Sequence, residues 1–316
     1  MRCLVTGAGG FIGSHLVNKL KSMGYFVRGA DLKFPEYETT KADEFYKMDL
    51  RDLRNTLTVT CDMDMVFQLA ADMGGMGYVY GIDATIMRNN TSISLNMIES
   101  SRINNVKDYL VSSSACVYPE AIQTHDVKPL KEEWAFPANP QDGYSWEKLY
   151  SELLCRFYRQ QYGMRTRAVR FHNIFGVKGT WRGGKEKSPA ALCRKVAEVA
   201  DGGEIEIWGD GTQLRSFCYV DDAVEGVVKL MHTDYFEPIN IGSERMISIT
   251  DLAKIIIGIS GKKDIGIKYV PGPLGVIGRT SDNTRVRSVL GWEPEVSLED
   301  GLAKTYEWIN EQVWGK

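Results

Sequence analysis

The sequence predicts an α/β fold, a doubly wound parallel sheet with a smaller C-terminal α/β domain, and two observations carry this prediction. In the first half, short apolar runs alternate with segments whose apolar residues recur at helical spacing. A glycine-rich turn also joins the first apolar run directly to the first helical segment. Such alternation is typical of parallel strands connected by helices that cover both faces of a sheet.

The predicted elements follow one another along the first half as strand and helix. The strands are residues 2–6, 26–30, 65–69, 108–112 and 167–170, and the helices are residues 11–23, 85–102 and 145–162. The second half is less regular, with predicted helices at 189–200, 251–259 and 298–312, short strands at 205–208 and 216–220, and a charged glycine-rich loop at 180–188. A compositional break near residues 173–176 divides the chain into residues 1–174 and 175–316, and we expect segments around 216–243 to return to the first domain.

Composition excludes several classes of function. The 38 basic and 41 acidic residues give a net charge of −3, which argues against nucleic acid or an anionic membrane as the main partner. The six cysteines form no CxxC pair and the four histidines are dispersed, so we expect free thiols and no metal site. No apolar stretch is long enough to cross a bilayer, and the first residues are typical of a strand rather than of a signal peptide. We therefore expect a cytoplasmic protein.

The glycine-rich turn, residues 7–13 (Gly-Ala-Gly-Gly-Phe-Ile-Gly), predicts a dinucleotide site of the Rossmann type. Gly7 allows the tight turn, Gly10 lets the backbone approach a diphosphate, and Gly13 allows close packing of helix and strand. The free N–H groups at the helix N-terminus favour the phosphates. Asp31 follows the second strand, where a carboxylate can bind ribose hydroxyls and repel a 2′-phosphate. These features favour NAD over NADP.

Tyr144 and Lys148 form a YxxxK pair at the start of a predicted helix, and their spacing places both on one face. Oxidation of an alcohol needs a base, and the pKa of free tyrosine, about 10, is too high for that work at neutrality. A cation at roughly 4 Å is worth on the order of 4 kcal/mol at an effective dielectric of about 20, or about three pKa units. We therefore expect Lys148, with the positive charge of a nicotinamide, to lower the pKa of Tyr144.

Cys116 and Lys187 are the residues whose roles the sequence alone leaves open. A thiol with an ordinary pKa of about 8.5 can act as an acid or base if its surroundings lower that value, but free cysteine is equally a small buried hydrophobe. Lys187 lies in a charged loop, where lysines are usually solvated surface residues.

The wider pattern resembles the extended short-chain dehydrogenase/reductase superfamily. There, the acid of a motif like Met48-Asp49-Leu50-Arg51 contacts adenine, and a motif like Leu69-Ala70-Ala71 lines the cofactor cleft. A serine matching Ser114 bonds the reacting oxygen. Sugar 4,6-dehydratases usually carry an Asp-Glu pair after this serine and related decarboxylases a Glu, whereas this chain has Ala115 and Cys116.

Five segments together resemble the GDP-mannose 3,5-epimerases within that superfamily. They are residues 71–77 (Ala-Asp-Met-Gly-Gly-Met-Gly), 113–116 (Ser-Ser-Ala-Cys), 170–173 (Arg-Phe-His-Asn), 179–187 (Gly-Thr-Trp-Arg-Gly-Gly-Lys-Glu-Lys) and 208–217 (Trp-Gly-Asp-Gly-Thr-Gln-Leu-Arg-Ser-Phe). The resemblance covers nearly the whole chain. Ser145 departs from it, standing where many relatives have glycine, and so does Lys185, where arginine is common.

This resemblance implies transient oxidation of C4 of a hexose by NAD, proton exchange at C3 and C5 by Cys116 and Lys187, and hydride return. The implied catalytic residues are Tyr144, Lys148, Ser114, Cys116 and Lys187. The expected cofactor residues are Gly7, Gly10, Phe11, Ile12, Gly13, Asp31, Asp49, Leu50, Leu69, Ala70, Ala71, Tyr144 and Lys148. The implied substrate residues are Gly74, Ser114, Ala115, Cys116, Asn173, Glu186, Lys187, Ser188, Lys195, Gln213, Arg215 and Arg279.

Three functions are compatible with these residues. The first is epimerisation of GDP-mannose to GDP-L-galactose, and the second is a simple 4-epimerase of another nucleotide-sugar, which needs Tyr144 and NAD but no Cys/Lys pair. The third is a non-catalytic NAD-binding regulator, which ranks last because Tyr144 and Lys148 are both intact. By analogy with the superfamily we also expect a homodimer built from the helices near 85–102 and 145–162.

Overall fold

The computed structural model describes residues 1–79, 81–273 and 275–315. In chain order the strands and helices are β1 (Arg2–Thr6), α1 (Phe11–Ser22), β2 (Phe26–Asp31), β3 (Glu44–Lys47), α2 (Leu53–Thr60), β4 (Met65–Gln68), α3 (Met76–Val79), α4 (Asp83–Ile103), β5 (Asp108–Ser114), α5 (Gly143–Tyr162), β6 (Arg165–Phe171), β7 (Ile174–Phe175), α6 (Ser188–Glu198), β8 (Glu204–Trp208), β9 (Leu214–Ser216), β10 (Cys218–Tyr219), α7 (Val220–Met231), β11 (Ile239–Ile241), β12 (Met246–Ser248), α8 (Ile249–Ser260), β13 (Gly266–Val270), β14 (Gly278–Arg279), α9 (Thr284–Leu290) and α10 (Leu298–Trp314).

The largest sheet is parallel and has the strand order β11-β6-β5-β4-β1-β2-β3. The order changes direction between β1 and β4, which lie side by side in parallel register. In an open α/β sheet, such a switch point opens a crevice at the carboxyl ends of the strands, where ligands bind. The predicted doubly wound parallel sheet is therefore confirmed.

Strand β1 shows why both faces of this sheet carry helices. Cys3 and Val5 pack on one face in the same core cluster as Leu16 of α1. Leu4 points to the opposite face and packs in the cluster that contains Met97 of α4. Because successive strand residues alternate between faces, an apolar run buries both faces at once.

The second half of the chain forms smaller sheets, with the orders β12-β9-β14, β13-β8 and β10-β7. Its helices α6, α8 and α10 join one core through Val196, Ile256 and Ile309. The short strand predicted over residues 216–220 is divided in the structure between the end of β9 at Ser216 and β10 (Cys218–Tyr219), and Val220 already begins α7. Among the helices of the described ranges, none combines the length and apolarity that a bilayer crossing requires.

Candidate active site

The glycine-rich turn lies where β1 meets α1, at the switch point of the sheet. Gly7 has φ +69°, a conformation that glycine adopts without strain. A Cβ atom on Gly13 would overlap the carbonyl oxygen of Gly7. Gly10 is the N-cap of α1 and supplies no side-chain cap. The first turn of α1, which begins with Phe11 and Ile12, therefore presents its backbone N–H groups to a ligand. Such groups bind the oxygens of a diphosphate.

Asp31 ends β2 beside this turn, and its Oδ2 accepts a hydrogen bond from the backbone N–H of Gly9 at 2.9 Å. Burial raises the pKa of Asp31, and backbone hydrogen bonds from Lys33 and Gly9 act in the opposite direction. Leu69 and Ala70, which follow β4, both donate backbone N–H groups to Oγ1 of Thr6 at 3.2 Å. The glycine-rich turn, the N-terminus of α1 without a side-chain cap and the carboxylate of Asp31 together fit NAD.

The predicted adenine contact, Asp49, lies after β3. The Asp49 carboxylate forms an ion pair with Arg51 at 2.6 Å, and the hydrogen bond from Arg51 lowers the pKa of Asp49. Leu50 is buried, and Ala71 lies after β4 in the segment that leads to α3.

Tyr144 and Lys148 are both buried in the first turns of α5. Lys148 Nζ lies 5.6 Å from the centroid of the Tyr144 ring. Burial raises the pKa of Tyr144, Cys116 and Glu147 raise it further, and a hydrogen bond with Ser114 lowers it. Lys148 Nζ also lies 3.7 Å from the buried carboxylate of Glu147. The lowering predicted for the pKa of Tyr144 counts the positive charge of a bound nicotinamide as well as that of Lys148.

Cys116 lies in a 3₁₀ turn, Ala115–Val117, directly after β5. Its backbone N–H donates to Ser114 Oγ at 3.2 Å, and its Sγ accepts a hydrogen bond from Arg279 Nη1 at 3.2 Å. Burial opposes ionisation of the thiol, but the charge of Arg279 and the hydrogen bond with Ser114 outweigh it and lower the pKa of Cys116. This environment favours an acid/base thiol over an inert buried one. Ala115, beside it, is buried.

Lys187 is the N-cap of α6, and Ser188 is the first residue of that helix. The Lys187 side chain keeps access to solvent, but the surrounding protein partly desolvates its amine. This burial lowers the pKa of Lys187, the thiol of Cys116 raises it, and Arg279 lowers it. The two groups assigned to proton exchange by resemblance therefore act on each other electrostatically across the site.

The glycine-rich segment at residues 71–77 and the loop at residues 179–187 meet at this site. The backbone N–H of Gly75 donates to the carbonyl of Lys185 at 3.0 Å. A Cβ atom on Gly75 would overlap the carbonyl oxygen of Glu186. This close approach places Gly74 next to the loop that carries Lys187. The Glu186 side chain accepts hydrogen bonds from Gly184 N at 2.7 Å and from Arg194 at 3.3 Å.

Two arginines lie side by side near Cys116. Arg279 of β14 stands opposite Arg215 of β9 in parallel register. Burial lowers the pKa of Arg215 to about 10, with a further contribution from the charge of Arg279. Paired guanidinium groups suit a diphosphate, because their planar forks bond oxyanions bidentately.

The remaining predicted substrate residues are engaged with backbone or with neighbouring side chains. Asn173 has φ +49° and its Nδ2 donates to the Ser216 carbonyl at 2.9 Å. Lys195 Nζ donates to the Glu206 carbonyl at 2.6 Å. Gln213 Nε2 reaches Asp210 Oδ1 at 3.5 Å.

Two residues of the site were missed by sequence reasoning. Gln123 Oε1 accepts from Arg279 Nε at 2.5 Å and so orients the guanidinium toward the thiol; 156 residues separate the two, and no local pattern links them. Glu147 is buried, accepts from Ser94 and Ser151 through Oε1, and has no hydrogen-bond partner for Oε2 among the described residues. The sequence signal that could have identified Glu147 is its position as an acid between Tyr144 and Lys148.

Comparisons with known proteins identify the family of this chain. The model of the NAD dependent epimerase/dehydratase family matches residues 3–242. This chain belongs to that family. It is 49% identical to GDP-mannose 3,5-epimerase 1 of Oryza sativa subsp. indica, over 99% of this chain and 82% of that protein, and 48% identical to GDP-mannose 3,5-epimerase of Arabidopsis thaliana, over 99% and 83%.

A solved relative shows the same fold. The UDP-glucose 4-epimerase of Thermotoga maritima superposes with a TM-score of 0.89 at 30% identity, over 99% of this chain and 100% of that one. The expected membership of an NAD-using epimerase family, and the resemblance to GDP-mannose 3,5-epimerases, are confirmed.

Proposed function

We propose that this protein is a GDP-mannose 3,5-epimerase that converts GDP-mannose to GDP-L-galactose with bound NAD. One observation carries the proposal: Cys116, where related dehydratases and decarboxylases have acids, is bonded to Arg279 and electrostatically coupled to Lys187. The identity of 48–49% to GDP-mannose 3,5-epimerases, over 99% of this chain, supports the same substrate.

The first chemical task is oxidation at C4 of the hexose. When bound, NAD accepts the hydride from C4 and later returns it. Tyr144 takes the proton of the C4 hydroxyl, and Ser114 holds the reacting oxygen through a hydrogen bond. Lys148, buried beside Tyr144, supplies the positive charge that this proton transfer requires.

The second task is proton exchange at the carbons on either side of C4. A ketone at C4 acidifies the hydrogens at C3 and C5, because each resulting carbanion is an enolate. Cys116 and Lys187 remove a proton from one face and return one to the other. The exchange needs one deprotonated and one protonated group: Arg279 favours the Cys116 thiolate, which can take a proton. Burial lowers the pKa of Lys187, but the charge of that thiolate raises it and so favours the ammonium form that returns a proton. General acid-base help of this kind is typically worth about 10²–10⁴-fold in each step.

Incubation with GDP-mannose in D₂O tests the function. We expect deuterium at C3 and C5 of the recovered sugar nucleotide. Turnover that leaves both carbons unlabelled would instead assign a 4-epimerase. Bound NAD with no turnover of any nucleotide-sugar would assign a regulator.

We further propose a homodimer formed through α4 and α5. Large apolar side chains on these two helices are each between 38% and 50% exposed: Met87, Leu95, Ile103, Trp146, Tyr150 and Phe157. Large exposed apolar side chains on two adjoining helices are typical of an interface. Phe157→Glu should produce a monomer in light scattering, whereas Trp314→Glu, which changes an exposed tryptophan of α10, should not. A wild-type monomer contradicts the proposal.

We also propose the domain division at residues 174 and 175, with residues 175–316 forming most of the substrate side. It is supported by β11, which pairs with β6 in the large sheet and so returns the segment near 216–243 to the NAD-binding domain. A cytoplasmic location is proposed from the six free cysteines.

A further inference from the structure

The loop that carries Lys187 is held at its end by Glu186, which is bonded to Gly184 and to Arg194 of α6, but the stretch before Glu186 is open to solvent. Residues 182–185 are exposed, and Gly183 and Gly184 have φ of +89° and +87°. Glycines in this region give the backbone wide conformational freedom. The position of the Lys187 amine relative to Cys116 therefore depends in part on contacts that hold this exposed stretch from outside the loop.

A group of three side chains provides such contacts. Lys185 Nζ lies 3.6 Å from the centroid of the Tyr78 ring and 3.9 Å from Asp72 Oδ1. The Tyr78 hydroxyl donates to the same Asp72 oxygen at 2.8 Å. The lysine is thus held by a cation–π contact and by a carboxylate at once.

The carboxylate is itself anchored to a long helix. Asn89 of α4 donates to Asp72 Oδ2 at 3.0 Å. The backbone N–H of Asp72 donates to Asn90 Oδ1 at 2.6 Å, and Asn90 Nδ2 donates to the Asp72 carbonyl at 3.0 Å. Two neighbouring residues of one rigid element therefore fix Asp72.

We propose that Asp72, Tyr78 and Lys185, termed the loop latch, are positioning residues that hold Lys187 in place for proton exchange. The inference rests on the proposed function, since it takes Lys187 as an acid/base. The latch acts through the loop and through the adjacent bond from Gly75 N to the Lys185 carbonyl. None of its members is assigned a contact with the reacting atoms.

The latch is exposed enough that its effect on overall folding is small. The Lys185 and Asp72 side chains are 45% and 24% exposed, and ion pairs of this exposure contribute little to stability. Proton transfer is far more sensitive, because a misplacement of about 1 Å can cost about 100-fold in rate. We therefore expect a fall of about tenfold in proton exchange when the latch is opened, with little change in melting temperature.

The experiment follows two steps separately in the full-length enzyme with NAD and GDP-mannose in D₂O. Stopped-flow absorbance of NADH reports oxidation at C4, which depends on Tyr144 and Lys148. NMR of quenched samples reports deuterium at C3 and C5, which depends on Lys187. The variants are Lys185→Met, Tyr78→Leu and Lys185→Arg. Lys131→Met is the matched control, since Lys131 also lies over an aromatic ring, that of Trp134, at 6.0 Å.

Lys185→Met and Tyr78→Leu should slow deuterium uptake about tenfold and leave the first C4 oxidation unchanged. Lys185→Arg should keep deuterium uptake within about twofold of the wild-type rate, because a guanidinium can also stack on the Tyr78 ring and pair with the Asp72 carboxylate. Lys131→Met should match the wild type. Wild-type deuterium uptake in Lys185→Met, or an equal loss of both steps, overturns the latch. Absence of deuterium in the wild type itself overturns the proposed function instead.

Discussion

Arg279→Gln should raise the pKa of the Cys116 thiol. The guanidinium Nη1 lies 3.2 Å from Sγ, so at an effective dielectric of about 20 the attraction for a thiolate is about 5 kcal/mol. At about 1.36 kcal/mol per pKa unit, this is an upper bound near four units. Solvent in the cleft weakens it, and we expect a net rise of about one to three units.

The rate of alkylation by iodoacetamide against pH measures this shift, because only the thiolate reacts appreciably. The assay uses a Cys61→Ser background, since Cys61 is exposed. The other competing cysteines are buried: Cys3, Cys155, Cys193 and Cys218. With Arg279 present, the midpoint should lie below that of a free thiol, and in Arg279→Gln it should move upward by about one to three pH units.

Two controls separate charge from folding. Arg279→Lys keeps a cation and should give an intermediate midpoint. Arg245→Gln removes an exposed arginine that pairs with Glu299 and should leave the midpoint unchanged. An unchanged midpoint in a folded Arg279→Gln protein would refute the claim that this arginine favours the thiolate.

Three further outcomes are expected. Gly75→Ala should separate the two loops, because its Cβ overlaps the Glu186 carbonyl; urea unfolding should show a loss of about 1–3 kcal/mol, and deuterium uptake should fall with it. Asp31→Asn should weaken the preference for NAD over NADP by about tenfold in binding titrations, since a carboxylate no longer repels a 2′-phosphate, and an unchanged ratio would contradict its ribose role. Burial lowers the pKa of His172 from 6.5 to about 3, so the folded protein binds fewer protons than the unfolded chain between these values. This stabilisation is complete above about pH 6.5 and is lost as pH falls toward 3, by up to about 1.4 kcal/mol per pH unit; His172→Gln should flatten that part of the urea-stability profile, and an equal slope in both proteins would refute it.

The sequence predicted the cofactor side of the site well because its signals are local. The glycine turn, Asp31 and the Tyr144/Lys148 pair each stand at a junction of strand, turn and helix, which periodicity and glycine spacing locate directly. The corresponding elements β1, α1, β2 and α5 form within two residues of their predicted bounds.

The electrostatics of the site could not be read from the sequence. Arg279 and Cys116 are 163 residues apart, and the resemblance placed both near substrate without indicating their contact. The predicted fall in the pKa of Tyr144 depends on Lys148 and on the charge of a bound nicotinamide; among the protein's own groups, burial, Cys116 and Glu147 raise that pKa. Strands of two or three residues, such as β7, β10 and β14, are too short to show an alternating pattern.

The most direct test of the account is deuterium uptake at C3 and C5 in Cys116→Ala and Lys187→Ala, measured alongside C4 oxidation. Proton exchange by this pair predicts that both variants still form NADH with GDP-mannose but incorporate deuterium at least about 100-fold more slowly than the wild type. Deuterium at both carbons at the wild-type rate in either variant would contradict the assignment of that residue.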